Sequence, residues 1–179
     1  MKKICFVTTV SLTMKAFVLE SAKYLHNEGG YDVTLICNND DEFAASLPEY
    51  IKFIPVSMAR GVDLSVFSSI LAFIKIFKEQ KFDMVQFSTP NASLAASIAA
   101  KICKVPVRLY CQWGIVYVGF SGLKRTIFKT IEKMVCANST AIRPDSNGNL
   151  DFSISEGLYT KEKGAVIWNG SACGVNLQK

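Results

Sequence analysis

Three polar or aromatic clusters in this 179-residue chain have residue types suited to holding a ligand. Thr9, Ser11, Thr13 and Lys15 follow an apolar, β-rich run over residues 4–8. Hydroxyls and free N–H groups at a helix start hold a phosphate or a sugar. The same residues also act as ordinary N-caps, and both readings stay open. Ser88, Thr89 and Asn91 follow a second such run, with Pro90 fixing a turn or helix start, so ligand contact competes there with capping. Gln112, Trp113 and Gly114 follow a third. Glycine lets backbone approach a ligand closely. Trp113 is then either an aromatic platform in a crevice or a core indole whose N–H is satisfied internally.

A fourth cluster is cationic. Arg125, Lys129 and Lys133 share one helix face, next to Lys124, with Leu123, Ile127, Ile131 and Met134 opposite. The preceding loop, residues 115–120, is apolar and carries Tyr117 and Phe120. Such a loop beside a basic helix suits an anionic bilayer. Three charges at about 1 kcal/mol each give only weak, salt-sensitive adsorption. The competing reading is a solvated helix face beside a core-packing loop.

The elements that must position these clusters alternate. Strands are expected over residues 4–8, 31–37, 51–56, 82–88, 107–111 and 140–142, with a last one over 165–168. Met14, Val18, Ala22 and Leu25 mark a first helix, which Thr13 or a neighbour caps and Gly29-Gly30 ends. Residues 38–41 read as a turn or helix cap. Leu64, Phe67, Leu71 and Ile74 mark a second long helix; residues 93–104, 123–136 and 150–158 supply three more. Strands alternating with helices mean βαβ units and a mostly parallel sheet. Strands that are apolar throughout fit a sheet covered on both faces. The expectation is a Rossmann-like, three-layer α/β/α domain. In such sheets ligands bind beyond the carboxyl ends of the strands, where the three clusters lie.

Several chemistries are excluded. The residues after the first strand, Thr8 to Thr13, contain no glycine and form no dinucleotide fingerprint; there is no P-loop and no nucleophile elbow. His26, the single histidine, falls near a helix end rather than at a strand end. The six cysteines form no C-x-x-C pair and sit mostly in apolar runs, as small buried hydrophobes. They suggest neither a metal site nor a disulfide framework, and reduced thiols imply the cytoplasm. The longest apolar stretch, residues 64–77, falls short of the roughly 20 residues a span needs. Half the chain is apolar, enough for a sizeable core, and its net charge of +5 is a mild basicity, well short of the dense Lys/Arg clustering of a nucleic-acid binder.

Three stretches together resemble bacterial glycosyltransferases of family 4 that build capsular or exopolysaccharide. The first is Lys3 to Thr9, followed after a helix by Tyr31 to Ile36. The second joins Lys81 to Gln86 with Val105-Pro106-Val107, Trp113-Gly114 and Gly122 to Arg125. The third is the tail, Val166 to Leu177, with Asn169-Gly170-Ser171 and Gly174-Val175-Asn176. Departures also stand out: Val10-Ser11-Leu12 replaces a glycine-containing loop, and Trp113 stands where the family has His before Gly.

The resemblance implies one half of a GT-B fold, residues 1–168, followed by the start of an interdomain linker over 169–179. It implies a retaining transferase using a UDP- or GDP-linked sugar without an obligatory metal. The donor would be held by a C-terminal domain carrying an E-x7-E-type motif, so this domain alone binds no cofactor and is inactive. On that reading the strand-end residues Thr9, Ser11, Thr13, Lys15, Ser88, Thr89, Asn91, Gln112, Trp113 and Gly114 are the candidates for the acceptor side. Trp113 stacks on a sugar face and Gln112 bonds a hydroxyl. Asn169, Gly170, Ser171 and Gly174 line the interdomain cleft. Tyr117, Phe120, Lys124, Arg125, Lys129 and Lys133 meet the inner membrane surface, where a lipid-linked saccharide acceptor resides. No nucleic acid is implied. Two other readings carry different expectations: a non-catalytic subunit that recruits a separate donor-binding partner, and an unrelated flavodoxin-like module.

Overall fold

The computed structural model describes residues 1–59 and 65–172. In chain order they form β1 (Lys3–Val7), α1 (Ser11–Phe17), α2 (Leu19–Asn27), β2 (Asp32–Cys37), α3 (Asp41–Ser46), β3 (Ile51–Pro55), α4 (Val66–Gln80), β4 (Met84–Phe87), α5 (Pro90–Ile102), β5 (Val107–Gln112), α6 (Gly122–Asn138), β6 (Ala141–Pro144) and α7 (Asn147–Ser155). Short 3-10 turns stand at Val116–Gly119 and Lys161–Lys163. The six strands make one sheet in the order β3-β2-β1-β4-β5-β6, and every pairing is parallel. That is the Rossmann order, with its direction reversal between β1 and β4. A flavodoxin-like sheet runs 2-1-3-4-5, so that alternative is set aside on topology.

Alternation along the strands splits the core into two layers. Ile4 and Phe6 face Met14, Val18, Ala22 and Phe43 on the α1–α3 side. Cys5 and Val7 face Phe73, Phe77 and the alanines of α5 on the other. The alanines Ala92, Ala95, Ala96, Ala99 and Ala100 are fully buried, so α5 lies close against the sheet. Pro90 occupies the first turn of that helix, where its missing N–H is no loss. Cys5, Cys37, Cys111 and Cys136 are buried free thiols and Cys103 is half-buried; Cys173 lies outside the described residues. His26 ends α2, its Nδ1 2.9 Å from the Tyr31 carbonyl.

Four expectations need correction. The first helix breaks at Val18, whose backbone leaves the helical region, giving α1 and α2. Thr13 caps nothing: it lies inside α1, whose N-cap is Val10. Residues 38–41 do supply a helix cap, as expected: Asp40 caps α3 by accepting from the Phe43 N–H at 2.9 Å. On α4 the buried stripe is Ser69, Phe73 and Phe77, while Phe67 and Leu71 are 63% and 68% exposed and Leu64 lies outside the described residues. A helix apolar almost all round permits more than one phase, and contact with α5 and the sheet selected this one. Finally, residues 165–168 are not a strand. A single bridge joins Gly164 to Ile142, and the chain then turns away at Trp168, which has φ 54° and is 93% exposed.

Candidate functional site

The loops after β1, β4 and β5 converge at the carboxyl edge of the sheet, around its reversal. Across that reversal Thr9 and Thr89 are clipped together. The Thr9 N–H donates to Thr89 Oγ1 at 3.0 Å, and the two hydroxyl oxygens lie 2.8 Å apart. Thr89 holds φ 71°, a left-handed backbone that a β-branched residue rarely adopts. Beside it the hydroxyls of Ser88 and Ser93 are buried without a hydrogen-bond partner. Asn91 turns away, donating to the Ala59 carbonyl. Ser11 bonds the Asp40 carboxylate, which that bond and the Phe43 N–H hold below the usual carboxylate range. Thr13 is half-buried on α1, and Lys15 is exposed with its ammonium 5.5 Å from the Phe43 ring centre. The structure therefore brings Thr9, Ser88 and Thr89 together and turns Ser11 and Lys15 toward α3.

At the end of β5 the expected trio divides. Gln112 is fully buried, and its side chain is engaged inside the domain. Its Nε2 donates to Glu132 at 2.7 Å, and its Oε1 accepts from Ser153 and Tyr159, each at 3.0 Å. It is not presented to a ligand. Trp113 packs on Phe17, ring centres 5.0 Å apart, with its indole N–H buried and unpartnered. Gly114 is exposed. Trp113 and Gly114 wall a cavity of about 400 Å³ together with Thr89, Pro90, Tyr110 and Glu132.

Glu132 is the residue that sequence reasoning passed over. It lies on α6 between Lys129 and Lys133 and was masked by the cationic pattern. The available signal was its phase. Phe128, Glu132, Val135 and Cys136 fall at helical spacing, so a carboxyl stands in the buried stripe. Tyr110 Oη donates to Glu132 Oε1 at 2.9 Å, alongside Gln112. Burial raises the Glu132 pKa, and those two hydrogen bonds pull the other way.

The basic cluster is rearranged. Glu156, just past α7, receives Lys129 at 2.7 Å and Arg125 at 3.4 Å, with Tyr117 Oη at 3.3 Å. The Lys129 hydrogen bond in particular lowers the Glu156 pKa. Tyr117 is buried, with Arg125 over its ring at 5.2 Å; burial, then Glu156, pushes its phenol up. Tyr117 is thus a core residue, and Arg125 and Lys129 are partly neutralised. Lys124 and Lys133 remain exposed, the former 3.9 Å from the centre of the half-buried Phe120 ring. On the α6 side opposite the cations Leu123 is 77% exposed and Ile127 and Met134 are also exposed, while Ile131 packs partly against the core. Among the described residues no helix is long and apolar enough to cross a membrane, and no His/Cys/Asp/Glu group could hold a metal.

The tail crosses the carboxyl end of β6. Gly170 adopts φ 94°, and a Cβ there would meet the Asp145 carbonyl oxygen at 2.3 Å. The Ser171 N–H donates to that same oxygen, and Arg143 donates to Ala172 at 2.9 Å. Asn169 is exposed at the preceding turn, and Gly174 lies outside the described residues.

The site is thus a crevice at the reversal of an all-parallel Rossmann sheet. The family model for glycosyl transferase 4-like proteins matches residues 3–146, and the chain belongs to that family. It is 28% identical over 151 residues to the capsular polysaccharide biosynthesis glycosyltransferase CapM of Staphylococcus aureus, covering 83% of this chain and 39% of the relative. Over 168 residues it is 25% identical to the UDP-Gal:alpha-D-GlcNAc-diphosphoundecaprenol alpha-1,3-galactosyltransferase of Escherichia coli, covering 90% and 41%. The chain thus spans about two fifths of the length of the curated relatives it matches. In fold it is similar to S. aureus MnaA solved with UDP (TM-score 0.70, 16% identity, 94% of this chain and 44% of that one). It is also similar to Acinetobacter baumannii MurG (TM-score 0.66, 10% identity, 99% and 47%).

Proposed function

We propose that this chain is the N-terminal, acceptor-binding half of a retaining, sugar-nucleotide-dependent glycosyltransferase of cell-surface polysaccharide assembly. The observation that carries the reading is the family match over residues 3–146 on a domain whose crevice offers hydroxyls, an indole and a carboxyl. The loop after β1 has no glycine-rich phosphate cradle, which fits a donor held elsewhere. Transfer then takes place between this domain and a C-terminal one that binds a UDP- or GDP-linked sugar. The acceptor is a lipid-linked saccharide, reached from the cytoplasmic face of the membrane. Leu123, Ile127 and Met134 make the apolar contact there, and the exposed Lys124 and Lys133 supply the charge.

The test is a titration of the purified chain with UDP, UDP-sugars and phosphatidylglycerol vesicles, read by Trp fluorescence with Trp113→Phe to identify the reporter. The expected result is vesicle binding that fades with salt, and no nucleotide response. Tight nucleotide binding without a lipid effect overturns the assignment and makes the chain a self-contained nucleotide module.

A further inference from the structure

The cavity between β5 and α6 contains one carboxyl group, and no lysine, arginine or histidine lines it. Its volume, about 400 Å³, lies in the range of small-molecule sites, about 300–1,000 Å³. Two donors, Tyr110 Oη and Gln112 Nε2, converge on Glu132 Oε1 and fix the rotation of the carboxyl. Oε2 has no hydrogen bond among the described residues, so it is the oxygen left to accept. Trp113 forms another wall, and its indole N–H is buried without an acceptor. The cavity thus offers an acceptor at Oε2 beside the Thr89 hydroxyl, a group that both donates and accepts. A sugar hydroxyl does both. A phosphate in its usual anionic form only accepts, and against a carboxylate with no cation at hand it is repelled.

On the acceptor-side reading proposed above, we infer that this cavity receives a neutral pyranose ring of the acceptor, with Glu132 Oε2 accepting one of its hydroxyls, and that it excludes the acceptor's diphosphate. Glu132 is then a specificity residue. Trp113, on the facing wall, takes part in holding the ring. The diphosphate lies outside this cavity.

The experiment is an NMR titration of the 15N-labelled chain. The probes are methyl α-D-glucopyranoside, methyl α-D-galactopyranoside and methyl N-acetyl-α-D-glucosaminide, against inorganic pyrophosphate and UDP. At least one glycoside is expected to shift the Trp113 indole resonance saturably, and pyrophosphate is expected to leave it unmoved. Glu132→Gln should weaken that glycoside about tenfold or more, as loss of a hydrogen bond to a charged group does. Because Glu132 also holds Tyr110 and Gln112, a second variant spares that network. At Gly114 an added Cβ meets nothing within 4 Å, so Gly114→Leu should retain the dispersed spectrum and lose the glycoside response. A pyrophosphate shift at Trp113, or glycoside affinity unchanged in folded Glu132→Gln, overturns the inference. Glycoside shifts confined to the Thr9 and Ser11 amides also overturn it and leave the acceptor reading standing. A saturable UDP response with no glycoside response overturns both.

Discussion

Thr9 and Thr89 stand 80 residues apart in sequence, yet the Thr89 hydroxyl accepts the Thr9 N–H at 3.0 Å, closing the sheet reversal from above. Thr89 reaches that position with φ 71°. Strain of this kind amounts to roughly 1–3 kcal/mol and persists where the surroundings over-determine it.

Thr89→Ala removes the acceptor and leaves a buried N–H, while keeping a Cβ in the left-handed region. Urea unfolding should show a loss of about 1–3 kcal/mol. Thr89→Ser should recover most of it. Thr89→Gly should lie between, because it relieves the backbone while losing the bond. Equal stability of the Ala and Ser variants would exclude the clip.

The two outward apolar residues of α4 separate from its core residues by magnitude. Phe73 is fully buried, so Phe73→Ala should cost about 3–5 kcal/mol in thermal or urea unfolding. Phe67 is 63% exposed, so Phe67→Ala should stay within about 0.5 kcal/mol.

Glu132 and Glu156 should bend the pH profile of stability in opposite directions. Glu132 is raised by burial, so its contribution is present below the ordinary Glu range and is lost as pH climbs through its folded value. Glu156 is lowered, chiefly by Lys129, so its contribution is present above that range and is lost as pH falls through its folded value. Urea midpoints between about pH 3 and pH 8 should therefore lose their alkaline slope in Glu132→Gln and their acid slope in Glu156→Gln. A shared direction of change would contradict these environments.

Vesicle flotation divides the α6 surface. If lipid contact runs through its open face, Leu123→Glu with Ile127→Glu should abolish adsorption to phosphatidylglycerol vesicles. Lys124→Ala with Lys133→Ala should weaken it roughly thirtyfold at low salt, at about 1 kcal/mol per charge. Arg125→Ala should do less, since Glu156 already neutralises that group in part.

A substitution at the tail turn reports on how firmly it is held. Gly170→Ala drives a methyl into the Asp145 carbonyl from a left-handed backbone. It should release the Ser171–Asp145 bond and raise amide exchange over residues 169–172, with β1 unaffected. Unchanged protection at Ser171 would show that the turn tolerates a side chain.

The strands were legible because most of their interiors are apolar, as a sheet covered on both faces requires, although β3, β5 and β6 carry Lys52, Arg108 and Arg143. Even the four-residue β6 showed. Helix existence was legible too, but helix phase was not. Phe67 and Leu71 carry the same apolar character as Phe73 and Phe77, and only packing against α5 and the sheet decides between them. The strand-end loops were located correctly by the geometry of parallel sheets. The roles of their side chains were not, because Gln112 finds Ser153 and Tyr159 from segments 41 and 47 residues away. Periodicity carries no information about partners at that distance. Glu132 was hidden by its cationic neighbours, although its register with Val135 and Cys136 was readable.

The Gln112 carboxamide has a consequence for how such a chain can diversify. One side chain serves the cavity carboxyl, the α7 serine and a tyrosine beyond α7. A lineage that changes Glu132 to alter what the cavity admits also disturbs the seat of α7. Substitutions there should therefore arrive in sets, with positions 112, 132, 153 and 159 drifting together while the open wall at Gly114 varies alone. New ligand preferences should come first from that unencumbered wall and reach the carboxyl only after α7 has been rebuilt.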